Sequence, residues 1–121
     1  MNLVRSVPVL RMFSVEKSKE FYLEFLGFQI DFEHRFEPGM PLYMGISRGG
    51  VTSHLSEHHG DGAPGANIRV EVTGLDELHA ELAAKNYGYG RPGIVEQEWG
   101  ERSMSVHDPF SNRIYFCERT S

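Results

Sequence analysis

Apolar and polar residues alternate through Phe28, Ile30 and Phe32 against Gln29, Asp31 and Glu33, which predicts a strand over 28–36. Upstream, Ser6 to Phe13 also reads as β-structure, and Pro8 marks an edge or a change of partner because it has no N–H for a ladder. Between them, Ser14 is placed as the N-cap of a helix reaching Leu26. Phe21, Tyr22, Phe25 and Leu26 form its apolar stripe, and Gly27 stops it. Glu37 to Pro41 is a loop, and Leu42–Ser47 and Val51–Glu57 pair through Arg48-Gly-Gly50. Past the polar, glycine-rich stretch His58 to Gly65, the pattern repeats. Asn67–Thr73 is a strand, and Leu75, Leu78 and Leu82 mark a helix ending near Lys85. Tyr87–Arg91 is predicted as a strand and Ile94–Gln97 as a short strand or loop. Glu101–His107 and Asn112–Glu118 close a hairpin through Asp108-Pro-Phe-Ser111.

The predicted order is therefore β-α-β-β-β twice, an α+β domain over residues 1–121 with modules at about 6–57 and 66–118. With 40% hydrophobic residues and eight Phe among 121, the chain can build one real core. Seventeen acidic residues against twelve basic give a net charge of −5, which argues against a nucleic-acid partner. No apolar run is long enough to span a membrane, and residues 1–6 lack a signal core. The single cysteine, Cys117, cannot form an internal disulfide and fits a reducing compartment, so a cytoplasmic location is expected.

Candidate chemistry is thin. Cys117 has no neighbouring histidine, and no Gly-x-Ser-x-Gly elbow occurs. His58 and His59 could meet a metal only from their loop, where a solvated connection is the simpler reading. His79 reads as a helix-surface residue, and His107 beside Asp108 as a turn contact. Strand alternation places Thr52, His54 and Ser56, then Asn67, Arg69 and Glu71, on one face of their strands. Ser103 and Ser105, with Arg113 and Tyr115, extend the set. Such a face is equally a binding surface or a solvated sheet face.

Several segments resemble the glyoxalase, bleomycin resistance and dioxygenase (vicinal oxygen chelate) superfamily. They are Ser6-Val-Pro-Val-Leu10, Phe21-Tyr22 with Leu26-Gly-Phe28, Asp31-Phe32 and His54-Leu-Ser56. Gly74-Leu-Asp-Glu-Leu78, Trp99-Gly-Glu-Arg102 and Asp108-Pro-Phe-Ser-Asn112 extend the match over nearly the whole chain. Val-Pro-Val-Leu and Trp-Gly point to the bleomycin-binding resistance branch. The resemblance implies a curved cup of mixed sheet with helices outside, and a homodimer. The metal-ligand positions of the superfamily's enzymes fall on Val7, His54, Asn67 and Tyr115, which offer one ordinary ligand. No metal, no cofactor and no catalytic residue is therefore expected.

Binding is the function implied: sequestration of a cationic glycopeptide antibiotic in clefts shared by two chains. Residues carried over from the family are Asp31, Phe32, Phe36, Ser56 and Trp99. His54, Arg69 and Tyr115 join them from the polar faces. Pro8 corresponds to the hinge at which an N-terminal arm crosses to the partner. Members of this branch can carry tryptophan on the fifth strand, where this chain has Arg69 and Glu71, a change that would weaken or redirect binding. Two alternatives stay open: a glyoxalase-type lyase or isomerase with a variant metal site around His54, and a module for another small aromatic ligand.

Overall fold

The computed structural model describes residues 1–87 and 92–120. The chain divides into two compact units, Met1–Pro64 and Gly65–Ser121. In the first, β1 (Val9–Arg11) leads to α1 (Val15–Lys19), followed by β2 (Gln29–His34), β3 (Tyr43–Arg48) and β4 (Val51–Ser56). In the second, β5 (Asn67–Glu71) and α2 (Leu75–Lys85) precede β6 (Val95–Gln97), β7 (Glu101–His107) and β8 (Arg113–Arg119). Each unit holds one four-stranded mixed sheet, ordered β1-β4-β3-β2 and β5-β8-β7-β6. In both, the first strand lies parallel to the last and the other neighbours are antiparallel. The fold is α+β, with one topology used twice. The strand expected at Tyr87–Arg91 lies, from residue 88 on, outside the described residues.

Local chemistry explains the elements. The Ser14 hydroxyl accepts the Lys17 N–H at 3.1 Å, capping α1. A wider π-helical turn, Glu20–Phe25, continues that helix, and Leu26 N–H reaches the Phe21 carbonyl at 2.9 Å. The expected regular helix is thus α-helical only to Lys19. Phe21, Tyr22, Phe25 and Leu26 are all buried, as their spacing requires. Gly27 follows at φ 75°, a left-handed stop suited to glycine. Gly49 and Gly50 form the two-residue turn between β3 and β4, with Arg48 opposite Val51.

The first strand is shorter than expected, three residues rather than Ser6–Phe13. Pro8 cannot donate, so its carbonyl begins the pairing, accepting from His54 N–H at 2.9 Å and the Ser53 hydroxyl at 3.2 Å. Ahead of it Met1, Leu3 and Val4 are exposed outside any element. Among the described residues, no helix is long and apolar enough to cross a membrane.

Two polar devices hold the second unit. The Glu118 carboxylate on β8 accepts Gly74 N–H at 2.6 Å and Leu75 N–H at 3.3 Å, capping α2 from the sheet. Arg102 on β7 grips Asp76 of α2 through two bonds of 2.7 and 3.0 Å.

Candidate functional site

In the first unit, Gln29 and Ser47 pair across β2 and β3, and so do Phe32 and Gly45. One residue is extra between Ile30 and Phe32 on β2, a β-bulge at Asp31. The bulge breaks the expected alternation. Phe32 leaves the face of Ile30 and joins the face that Gly45 and His54 share. There its ring stacks on Tyr43, with centroids 6.1 Å apart at 17°, and meets His54 edge-on at 5.1 Å. Gly45 makes the shelf possible: a Cβ there would lie 2.8 Å from Phe32 Cδ1 and closer still to Cε1.

The Tyr43 hydroxyl lies 2.8 Å from His54 Nδ1. Burial, and then the nearby Asp61 charge, push the Tyr43 hydroxyl up, so it stays protonated and available to donate. The shelf is half open, since Phe32 is 41% exposed. Beside it the Asp31 carboxylate accepts from the Ser47 hydroxyl at 3.0 Å. Phe36 is exposed beyond the strand and touches His34 and His58 edge-on.

Ser56 has a different place. It is fully buried, donates to Asp61 at 2.9 Å and accepts His58 N–H at 3.0 Å. Its hydroxyl anchors the 58–65 connection under the sheet end. That connection is also tied to β1, since Arg11 donates to the His58 carbonyl at 2.5 Å.

In the second unit, Arg69, Glu101 and Trp99 form one cluster. Arg69 Nη1 donates to Glu101 Oε1 at 3.0 Å, and Nη2 pairs with Oε2. Glu101 is buried and lies close to the Trp99 indole of the β6–β7 turn, whereas Trp99 itself is 70% exposed. Arg69, then the Trp99 indole, hold the Glu101 carboxyl below the usual range against its desolvation. Arg102 does the same for Asp76. Cys117 lies beneath the cluster, opposite Glu71 and Ser103, and burial pushes its thiol up. A buried thiol held protonated is a poor nucleophile. Tyr115 stands opposite Arg69, its hydroxyl accepting from Arg113 at 2.9 Å.

Both depressed carboxylates contribute stability that is complete above their ordinary values and is lost as pH falls through their lowered folded values. The melting temperature is expected to hold from neutral pH to about pH 5 and then decline. In Glu101→Gln the decline should be shallower; identical profiles from pH 7 to about pH 3 would remove the linkage.

The structure unites Phe32 with His54, and Arg69 with Trp99. Tyr43, Gly45 and Glu101 are additions that pattern reading missed. Gly45 inside a strand was the available signal, because such a glycine marks close approach by another group. The superfamily's metal positions do not fit an ion. Val7 offers no side-chain donor atom and the Tyr115 hydroxyl is engaged by Arg113, which leaves only His54 and Asn67 of the four positions. Among the described residues, no three His, Cys, Asp or Glu side chains gather where a metal could be held.

Duplicated βαβββ units whose sheet faces carry these side chains define a class. The glyoxalase superfamily profile matches residues 1–121, and the chain belongs to that superfamily. The chain is 28% identical to the bleomycin resistance protein of Geobacillus stearothermophilus, over 97% of its own length and 98% of that protein's. It matches the Staphylococcus aureus bleomycin resistance protein at the same 28%. The bleomycin-binding protein of bleomycin-producing Streptomyces verticillus, solved with copper(II)-bleomycin, is 29% identical. It superposes with a TM-score of 0.69 over 96% of each chain. A transposon-encoded bleomycin resistance determinant shares the fold, with a TM-score of 0.74 at 21% identity over 98% of this chain and 100% of that one.

Proposed function

We propose that this chain is a non-catalytic homodimer that sequesters a cationic, bleomycin-type antibiotic in clefts lined by both protomers. The observation that carries the reading is the half-open shelf of Phe32 on Tyr43 and His54. Planar heterocycles stack on such rings, and cations are drawn to their faces. Asp31 adds an acidic group at the shelf's edge, and the net charge of −5 favours a cationic ligand at long range. Exposed Phe36 and Trp99 supply further aromatic surface. The named relatives support the same reading, since they are bleomycin resistance and bleomycin-binding proteins.

In the proposed dimer Pro8 is the junction from which residues 1–7 reach the partner, bringing exposed Met1, Leu3 and Val4 to its surface. Within the second unit Arg69 and Tyr115 are ligand contacts, and in the first unit Ser56 acts from beneath as a support. The site of action is the cytoplasm, with neither nucleic acid nor membrane as partner.

Titrating bleomycin into the protein while following calorimetric heat and the fluorescence of Trp99, the one tryptophan, tests this. One drug bound per chain with micromolar or tighter affinity is expected, about −8 kcal/mol or more favourable. Absence of heat and of fluorescence change at tens of micromolar drug would overturn the antibiotic role.

A further inference from the structure

The face of the second sheet holds an ion pair unlike an ordinary surface bridge. Exposed pairs contribute little because two flexible side chains must be held together in high dielectric. Here one partner is already held: Glu101 is 6% exposed, with the Trp99 and Cys117 side chains close beside it. Two parallel N–H···O contacts then set the plane of the Arg69 guanidinium.

Register gives the pair its position. Arg69 stands opposite Tyr115, Glu101 opposite Arg119, and Cys117 lies between those two on β8. A bridge from β5 to β7 must cross over Cys117, which accounts for that residue's burial on an otherwise polar face. The Arg69 side chain remains 51% exposed. It opens into a groove of about 520 Å³ whose lining includes the acids Glu71, Glu101 and Glu118, a second guanidinium at Arg119, and Cys117. That volume lies within the range of small-molecule sites, roughly 300–1,000 Å³.

We propose that the Arg69–Glu101 pair is a stacking platform for the flat face of a planar, uncharged aromatic ring. It rests on the small-molecule-binding reading above and names the chemistry of that ligand on this face. A guanidinium is planar, delocalised and weakly hydrated, so it stacks on aromatic rings where an ammonium does not. Neutralised by Glu101, it attracts the ring by its flat surface rather than by net charge.

The probe is 2-naphthol, with decahydro-2-naphthol as its saturated counterpart. Both carry the same hydroxyl, and only the first has a π face. On adding 2-naphthol, the Arg69 Nε–H resonance should move upfield under the ring current, and the saturated alcohol should leave it in place. Arg69→Lys keeps a positive charge beside Glu101 and should bind 2-naphthol about tenfold more weakly. Equal affinity for the two alcohols, or no upfield movement at millimolar 2-naphthol, would overturn the platform. The comparison of alcohols decides the matter in the unaltered protein even if the lysine variant folds poorly. Naphthol stacking without bleomycin binding would keep the platform and discard the antibiotic role. Bleomycin binding without naphthol stacking would do the reverse.

Discussion

Replacing Asp108 with alanine should cost about 3 kcal/mol or more of folding stability. The carboxylate is buried and accepts three bonds at 2.8 Å, from Phe110 N–H, Asn112 N–H and the Asn112 side-chain amide. Asn112 in turn accepts the N–H of Ala66 at 3.2 Å, so one side chain ties the β7–β8 turn to the start of β5. Alanine leaves those donors buried without an acceptor, which costs more than the net worth of the bonds. For a domain of this size the melting temperature should fall roughly 10–15 °C. Thermal unfolding followed by circular dichroism reads this directly. A melting point within about 2 °C of the parent would show that the turn is held by other means.

The second large effect is expected at Gly45, and it separates binding from folding. Gly45→Val places methyl groups where the Phe32 ring lies. Phe32 is on an edge strand and half exposed, so its ring can swing outward at little cost, and valine suits a strand interior. Stability should change by under about 1 kcal/mol. The shelf, however, loses its upper ring. Losing a central aromatic contact costs about 2 kcal/mol, so bleomycin affinity should drop about thirtyfold. Phe32→Ala should reproduce the loss without touching the glycine. Unchanged calorimetric affinity in both variants would mean that the shelf is not the ligand surface.

Much of the fold was legible because it rests on short-range chemistry. The spacing of Phe21, Tyr22, Phe25 and Leu26 required one buried face whichever helical turn carried it, and Gly27 and the Gly49-Gly50 turn follow from backbone sterics. The π-helical turn at Glu20–Phe25 left no such mark, since the same stripe fits an α-helix. β2 misled for a definite reason. Period two holds only while the ladder is regular, and the extra residue at Asp31 reversed the side of everything after it. That is why Phe32, grouped with Ile30 by alternation, lies with His54 instead. Arg69 and Trp99 could each be named from sequence, but the carboxylate joining them could not. Glu101 occupies a sequence position typical of a solvated acid, and only the register of β7 against β8 brings it over Cys117.

The repeated strand order also sets how the chain must find its structure. The β3–β4 hairpin closes through two residues, a microsecond event in isolation. By contrast the first strand of each unit must return to the last. Pro8 meets Ser53 across 45 residues, and Ala66 meets Asn112 across 46. Closing such loops carries an entropy cost before any ladder rewards it, and non-local pairing slows folding. Each unit is therefore expected to assemble its antiparallel strands first and to accept β1 or β5 last. The reverse order holds for opening, and in native-state hydrogen exchange the amides that bind these two edge strands should lose protection before those of the hairpins.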